Sequence, residues 1–96
     1  MSDRTLRALV IDPNPRVLSN AVRVLSHKGI HVAGRLTPDD SLDYVRRAQP
    51  DVVLLGLTFW EEGWGPEILA VAPETVVIPI VGNSEAPGIR VAAEVA

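Results

Sequence analysis

The sequence contains no cysteine, which excludes disulfide bonds and thiolate metal sites. Its longest apolar runs have the length of a strand, and the N-terminal residues MSDRTLR lack the apolar core of a signal peptide. Nine Lys and Arg residues are scattered through a chain of net charge −3, so no basic patch indicates nucleic acid or a membrane surface. These absences predict a cytoplasmic protein that contacts neither nucleic acid nor a membrane.

Several motifs of catalysis and phosphate binding are also missing. No strand is followed by G-x-G-x-x-G or by G-x-x-x-x-G-K-[ST], so a phosphate-binding loop is not predicted. The two histidines, His27 and His31, have no carboxylate or second histidine at the spacing of metal ligands. No Ser-His-Asp arrangement can be assembled either. We therefore expect neither an enzyme nor a bound cofactor.

The 96 residues are the length of one domain, and 47% of them are hydrophobic. Apolar runs of strand length alternate along the chain with helical patterns. The first helix is bounded by Asn14, which can cap it, and by Gly29, which can end it. A third helix is expected from near Pro66 to Ala72, and a last one from Asn83 or Ser84 to Ala96. The predicted strands are residues 6–11, 30–34, 51–56 and 75–81.

Uniformly apolar strands that alternate with helices indicate a parallel sheet with helices on both faces. Four βα units of this size predict an α/β, doubly wound parallel sheet of the flavodoxin-like kind, with strand order 2-1-3-4 and without a fifth strand and helix. Ligands of such sheets bind at the carboxyl ends of the strands. We therefore expect any functional site at the residues that follow each strand.

Asp12 is the one acid directly after the first strand, and two interpretations of it stay open. Asp-Pro pairs begin turns, and this alone accounts for the residue type. Alternatively, the carboxylate could be a ligand of Mg²⁺, which prefers carboxylate oxygens and water. One carboxylate seldom holds Mg²⁺ without another acid or a phosphate nearby, which favours the turn.

The whole chain resembles a response-regulator receiver domain of two-component signalling, by pattern more than by identity. The segments that carry the resemblance are ALVIDPNPRVLSNAVRVL, QPDVVLLGLTFWEEGWGPEIL and TVVIPIVGNSEAPGIRVAAEVA. The resemblance implies a doubly wound parallel fold that accepts a phosphoryl group on an aspartate at the end of the third strand. It also implies two acids that hold Mg²⁺ after the first strand, a Thr or Ser after the fourth strand, and a Lys after the fifth.

Transferred one position at a time, most of these residues are missing here. Asp12 matches the first acid of the pair, but Pro13 stands at the second, which is usually the direct metal ligand. The phosphoacceptor position falls on Gly56, and the Thr or Ser position falls on Val81. The Lys position lies beyond Ala96. The resemblance thus implies a pseudo-receiver without a nucleophile, with Asp12 as a vestigial metal ligand.

Two glutamates and three aromatic residues follow the third strand. Glu61 or Glu62 could substitute as phosphoacceptor, although both are predicted on a loop beyond the strand. In that same loop we expect Phe59, Trp60 and Trp64. They could form a hydrophobic lid over the emptied acidic pocket, or a surface for contact with another protein, because Trp and Phe are enriched in interface cores.

The last predicted helix is apolar on nearly all sides, because its polar residues Arg90 and Glu94 form a single stripe. A helix of this kind is normally buried all round, and the apolar residues that a four-stranded core would leave uncovered include Ile89, Val91 and Val95. The fourth strand would also be a sheet edge, a place that tolerates Pro79. Either a longer natural chain supplies the missing strand and helix, or two chains associate through this face.

The sequence therefore predicts a receiver-like domain over residues 1–96 that acts without phosphorylation. Its expected role is a protein-interaction or dimerisation module in bacterial signal transduction or transcription regulation. The expected partner is a protein, such as a second copy or an output domain in a longer chain. Two alternatives stay open: residual Mg²⁺ and phosphoryl chemistry through Asp12 and an unusual acceptor, or a small-molecule sensor in which Trp60 or Trp64 stacks on the ligand.

Overall fold

The computed structural model describes residues 5–82 and 89–91, the backbone alone for Gly82 and for 89–91. Within these ranges the chain forms an α/β layer structure. The strands are β1 (Arg7–Ile11), β2 (His31–Arg35), β3 (Val52–Gly56), β4 (Val76–Gly82) and β5 (Ile89–Val91). The helices are α1 (Pro15–His27), α2 (Leu42–Ala48), α3 (Leu57–Glu61) and α4 (Trp64–Val71), with a 3₁₀ turn at Asp39–Ser41.

The sheet has the strand order β2-β1-β3-β4-β5. Its first four strands are parallel, with Leu9 beside Ala33 and Val53 and with Val53 beside Val77. The predicted parallel order 2-1-3-4 is therefore confirmed, and helices connect these strands as expected. This arrangement is consistent with a flavodoxin-like layout.

Helices cover the two faces of the sheet unequally. On one face, α2 and α4 pack on Leu9, Ile11, Val53 and Leu55, all fully buried. On the other face, α1 packs on Val10 and Ile80 through Ala21. The alternation of buried residues along β1 and β3 between two helix layers explains why these strands are apolar at every position.

Local signals set the ends of α1 as the sequence predicts. The side chain of Asn14 accepts a hydrogen bond from the Arg16 N–H at 2.9 Å, and Pro15 occupies the first helical position. At the other end, Gly29 has a φ of 81°, a conformation that side chains with a Cβ rarely adopt. The helix therefore ends at His27, two residues before this glycine.

Two predictions about the C-terminal part are wrong. Residues 89–91 do not continue a helix but form β5, antiparallel to β4, with Val91 opposite Ile80 and Ile89 opposite Gly82. The sheet therefore has a fifth strand, and β4 is not a free edge along residues 80–82. The β-branched Ile89 and Val91 suit a strand, and the outer edge of β4 offers them backbone partners. Residues 83–88 and 92–96, including Val95, lie outside the described range.

A third correction concerns the segment after β3, where the helical structure begins earlier than Pro66. Helix α3 starts directly at Leu57, and α4 starts at Trp64. Gly63, with a φ of 93°, donates its N–H to the carbonyl of Trp60 and ends α3. The expected loop is thus two short helices separated by a left-handed glycine. None of the helices in the described ranges is long and apolar enough to cross a membrane.

Candidate functional site

The carboxyl ends of β1, β3 and β4 meet at one edge of the sheet. The register pairs Ile11 with Leu55 and Gly56 with Ile80, so Asp12, Gly56 and Ile80 lie in one row across this edge. Val81 follows Ile80 and is exposed. The structure therefore brings together Asp12 and Gly56, two of the positions that the sequence analysis selected, and places Val81 near their row.

Asp12 is held in a turn that leads into α1. One carboxylate oxygen accepts a hydrogen bond from the Asn14 N–H at 2.9 Å, and the Asp12 N–H donates to the carbonyl of Arg35 at 3.1 Å. Asn14 in turn caps α1. This side-chain-to-backbone turn is a structural role typical of aspartate, and it is the role expected from the Asp-Pro sequence.

Gly56 lies against the carboxyl group of Asp12. A Cβ atom at residue 56 would be 2.8 Å from Oδ2 of Asp12 and 3.3 Å from the carbonyl oxygen of Ile11. The first distance is shorter than real Cβ contacts allow, and Asp12 is only 6% exposed. Gly56 therefore presents no side chain at the end of β3, and the Asp12 carboxyl group fills the space that a side chain there would need.

The same packing affects the acidity of Asp12. Burial raises the pKa of its carboxyl group, and the hydrogen bond from the Asn14 N–H opposes this in part. The ionised form is therefore less favourable here than in water, because burial removes the carboxylate from solvent.

The strand-end residues offer a magnesium ion one carboxyl group, that of Asp12. Pro13 has no oxygen in its side chain, and one oxygen of Asp12 already accepts the Asn14 N–H. Among the described residues no group of three or more His, Cys, Asp or Glu side chains is placed to hold a metal. Mg²⁺ takes carboxylate oxygens and waters in an octahedral shell, and a single buried carboxyl group with a raised pKa is a poor ligand for it.

The aromatic residues after β3 divide into two groups. Phe59 and Trp64 are half-buried and pack against the core beneath α2 and α4. Trp60, by contrast, is 40% exposed. Its ring lies over Gly65, where a Cβ would be 3.4 Å from the ring atom Cζ3. Phe59 and Trp64 are thus placed as core residues, whereas Trp60 presents part of its ring to solvent.

The glycines that arrange this segment were not singled out in the sequence analysis. Gly63 ends α3 in the left-handed conformation, and Gly65 leaves room for the Trp60 ring. The signal was present in the sequence, since a Gly that follows a short run of helix-forming residues is a frequent helix stop. Glu61 is the last residue of α3, Glu62 follows it, and both are exposed.

Two clefts lined by described residues lie at the opposite edge of the sheet, where the strands begin. One, of about 430 Å³, is formed by the turns that precede β3 and β4 and is lined by Gln49, Pro50, Asp51, Pro73, Glu74 and Thr75. The other, of about 360 Å³, is lined by Arg7, His31, Val32, Ala33 and Tyr44. Neither includes the residues that were predicted to bind a ligand.

Comparisons of the chain with protein-family models, with characterised proteins and with solved structures found no significant match. The receiver resemblance therefore rests on the residues themselves and on the fold, and it is taken up below as a proposal.

The contact between Gly56 and Asp12 predicts the effect of adding one methyl group. Gly56→Ala is expected to destabilise the protein by roughly 1–3 kcal/mol, because the new Cβ overlaps Oδ2 of Asp12. The φ of Gly56 is −52°, which alanine adopts without strain, so the cost comes from crowding alone. Urea unfolding measures it. In an Asp12→Ala background the cost should fall, and an equal cost in both backgrounds would contradict the contact.

The raised pKa of Asp12 predicts a pH-dependent difference between the protein and Asp12→Asn. Below the ordinary range of an aspartate, about pH 4, the carboxyl group is neutral in folded and unfolded chains, and the two proteins should respond alike to further acid. As pH rises toward the raised folded pKa, only the unfolded chain releases its proton readily, so the stability of the unmutated protein falls relative to Asp12→Asn.

Thermal unfolding of both proteins between acidic and neutral pH tests this expectation. The melting temperature of Asp12→Asn minus that of the unmutated protein should increase as pH rises and then become constant. A difference that decreases with rising pH would mean that the folded state stabilises the charged carboxylate.

Proposed function

We propose that this protein is a phosphorylation-independent pseudo-receiver that acts as a protein-interaction module. The observation that carries the proposal is the contact of Gly56 with the Asp12 carboxyl group, 2.8 Å from the position of a Cβ. At the place where a receiver domain would present its phosphoacceptor, this chain has a glycine and a neighbouring side chain packed into the vacated space. The proposed setting is bacterial signal transduction or transcription regulation, in the cytoplasm.

The fold supports this proposal at the level of strand order. Four parallel strands in the order 2-1-3-4 with connecting helices are what a flavodoxin-like receiver fold requires of its first four strands. We propose that specific fold here. The short antiparallel β5 takes the side of β4 on which a receiver would place its fifth parallel strand.

Phosphoryl transfer to a carboxylate needs a nucleophile, a cation that offsets the charge, and donors to the phosphoryl oxygens. Gly56 supplies no nucleophile, and Pro13 and Asp12 do not form a magnesium site. Val81 supplies no hydroxyl group. Glu61 ends α3 and Glu62 follows it, so both lie outside the row that contains Asp12 and Gly56, which favours the reading without an acceptor.

A module of this kind would present its binding surfaces without a phosphorylation switch. Trp60 and Leu69 are 40% and 39% exposed, and the acids of α3 and α4 that share this layer are Glu61, Glu62 and Glu67. Residues 48–82 contain no Lys or Arg, so the part of this surface formed by α3 and α4 is acidic around an exposed aromatic ring, while α2 beside it carries Arg46 and Arg47. The glutamates of this surface suit a protein partner with basic side chains, and the exposed Trp60 suits an interface because Trp is enriched in interface cores. The same negative charge would repel nucleic acid.

Incubation with Mg²⁺ and acetyl phosphate, followed by intact mass measurement, tests the proposal. The mass should remain that of the unmodified chain, because the strand end offers neither acceptor nor metal site. A phosphorylatable receiver domain in the same mixture serves as the positive control. A gain of one phosphoryl group by this protein, with the control behaving normally, would overturn the pseudo-receiver assignment.

A further inference from the structure

The smaller of the two clefts lies between the first two strands and α2, and it is lined by Arg7, His31, Val32, Ala33 and Tyr44. Strand alternation puts Arg7 on the same face of β1 as Leu9, which belongs to the core beneath α2 and α4. The register pairs Arg7 with His31 and Leu9 with Ala33, so His31 and Ala33 share that face. The cleft therefore brings two polar side chains of the strands to a tyrosine of α2.

Two contacts hold the wall that Tyr44 forms. The half-buried ring packs against the core cluster, and the guanidinium carbon of Arg35 lies 4.8 Å from the ring centroid, a cation–π contact. Arg35 is fixed in turn, because its Nη1 donates to the carbonyl of Gly34 at 2.9 Å. Arg35 does not line the cleft, so the cleft meets another part of Tyr44. The aromatic wall is thus in place before a ligand binds.

The polar groups of the cleft are not used elsewhere among the described residues. Within residues 5–82, the ion pairs between described side chains are those that Asp43 forms inside α2. The guanidinium group of Arg7, the imidazole ring of His31 and the hydroxyl group of Tyr44 have no hydrogen bond to a described residue. Asp51 accepts only the backbone N–H of Arg7, at 2.8 Å, and lines the other cleft. These donors are therefore available to a ligand.

The charge of the cleft selects the class of ligand. No Asp or Glu lines it, and Arg7 carries a permanent positive charge. A guanidinium group has five N–H donors and no acceptor, and it binds carboxylate or phosphate through two parallel, charge-assisted hydrogen bonds. The ring N–H of His31 and the hydroxyl group of Tyr44 add further donors. The cleft therefore favours an oxyanion and disfavours a cation.

The size of the cleft indicates what accompanies the oxyanion. Its volume of about 360 Å³ has room for about twelve water molecules at about 30 Å³ each, which is more than one carboxylate or phosphate group fills. Small-molecule sites begin at about 300 Å³ and are lined largely by apolar and aromatic groups. Ala33 and the ring of Tyr44 supply such a lining. A flat group can therefore lie against Tyr44 while the oxyanion contacts Arg7.

We propose that this cleft binds a small planar anion, whose carboxylate or phosphate oxygens contact Arg7 and His31 and whose planar part lies against Tyr44. The site goes beyond the interaction role proposed above. It lies at the edge where the strands begin, opposite to Asp12 and Gly56, so it does not depend on whether the protein accepts a phosphoryl group.

Titration of the isotope-labelled protein with phenyl phosphate and, separately, with benzoate tests the site by nuclear magnetic resonance. Benzamide, which has the same ring and no charge, is the control ligand. The backbone amides of His31, Ala33 and Tyr44 should shift saturably with at least one of the two anions and not with benzamide. Tighter binding of phenyl phosphate would assign the oxyanion as phosphate, and tighter binding of benzoate would assign it as carboxylate. Both results support the site.

A pair of matched variants separates the cleft from the charge of the whole protein. Arg7→Gln should raise the Kd of the bound anion by roughly tenfold or more, because it removes the charge-assisted hydrogen bonds. Arg23→Gln removes the same charge from an exposed position on α1, on the opposite face of the sheet, and should leave the Kd within about twofold. His31→Gln, also at an exposed position, should weaken binding in the same direction as Arg7→Gln. The spectra themselves show that each variant is folded.

Three results would overturn the proposal. The first is the absence of saturable shifts at these amides with either anion up to about 10 mM. The second is an equal response to benzamide, which would mean that the charge of the ligand has no role. The third is equal weakening by Arg7→Gln and Arg23→Gln, which would mean that the anion responds to net charge and not to the cleft.

Discussion

The fold of the strand-end edge depends on one close contact, between the backbone of Gly56 and the carboxyl group of Asp12. Parallel pairing of β1 with β3 brings these two residues side by side, and only a residue without a Cβ leaves room for the carboxyl group. In that space the Asp12 side chain turns back to the Asn14 N–H. Asn14 then caps α1, so the start of the helix and the closure of the strand end are parts of one arrangement.

This contact also determines the surroundings of the Asp12 carboxyl group. A strand end that holds Mg²⁺ needs oxygen ligands that converge on the ion in an octahedral shell. Here the single carboxyl group is buried, its pKa is raised, and the neighbouring position has no side chain. Away from this edge, the layer of α3 and α4 exposes Trp60 and Leu69.

The sequence predicted the parts of the structure that depend on local signals or on strong patterns. The order of the four parallel strands followed from alternation of apolar runs with helices, and the limits of α1 followed from Asn14 and Gly29. Helix α3 was missed because the left-handed Gly63 divides a segment that reads as one loop. Residues 89–91 were assigned to a helix because tertiary pairing with β4, which a local pattern does not contain, decided their conformation.

For the candidate site, the sequence predicted that Asp12 and Gly56 lie at neighbouring strand ends, but it did not predict that they are in contact. The strand order predicts that Asp12 and Gly56 lie on neighbouring strands. The distance of 2.8 Å between Oδ2 of Asp12 and the position of a Cβ at Gly56 depends, in addition, on the rotamer of Asp12 and on the turn that holds it. The division of the aromatic residues into half-buried Phe59 and Trp64 and exposed Trp60 likewise depends on how α3 and α4 pack.

The central claim is that the strand end is closed to a phosphoryl group and to Mg²⁺. Nuclear magnetic resonance of the backbone amides tests it most directly, during titration with Mg²⁺ and beryllofluoride, which mimics a phosphorylated aspartate. The amides of Asp12, Gly56 and Val81 should keep their positions throughout the titration. Saturable shifts of these amides would show that the edge still binds the phosphoryl mimic and would contradict the account.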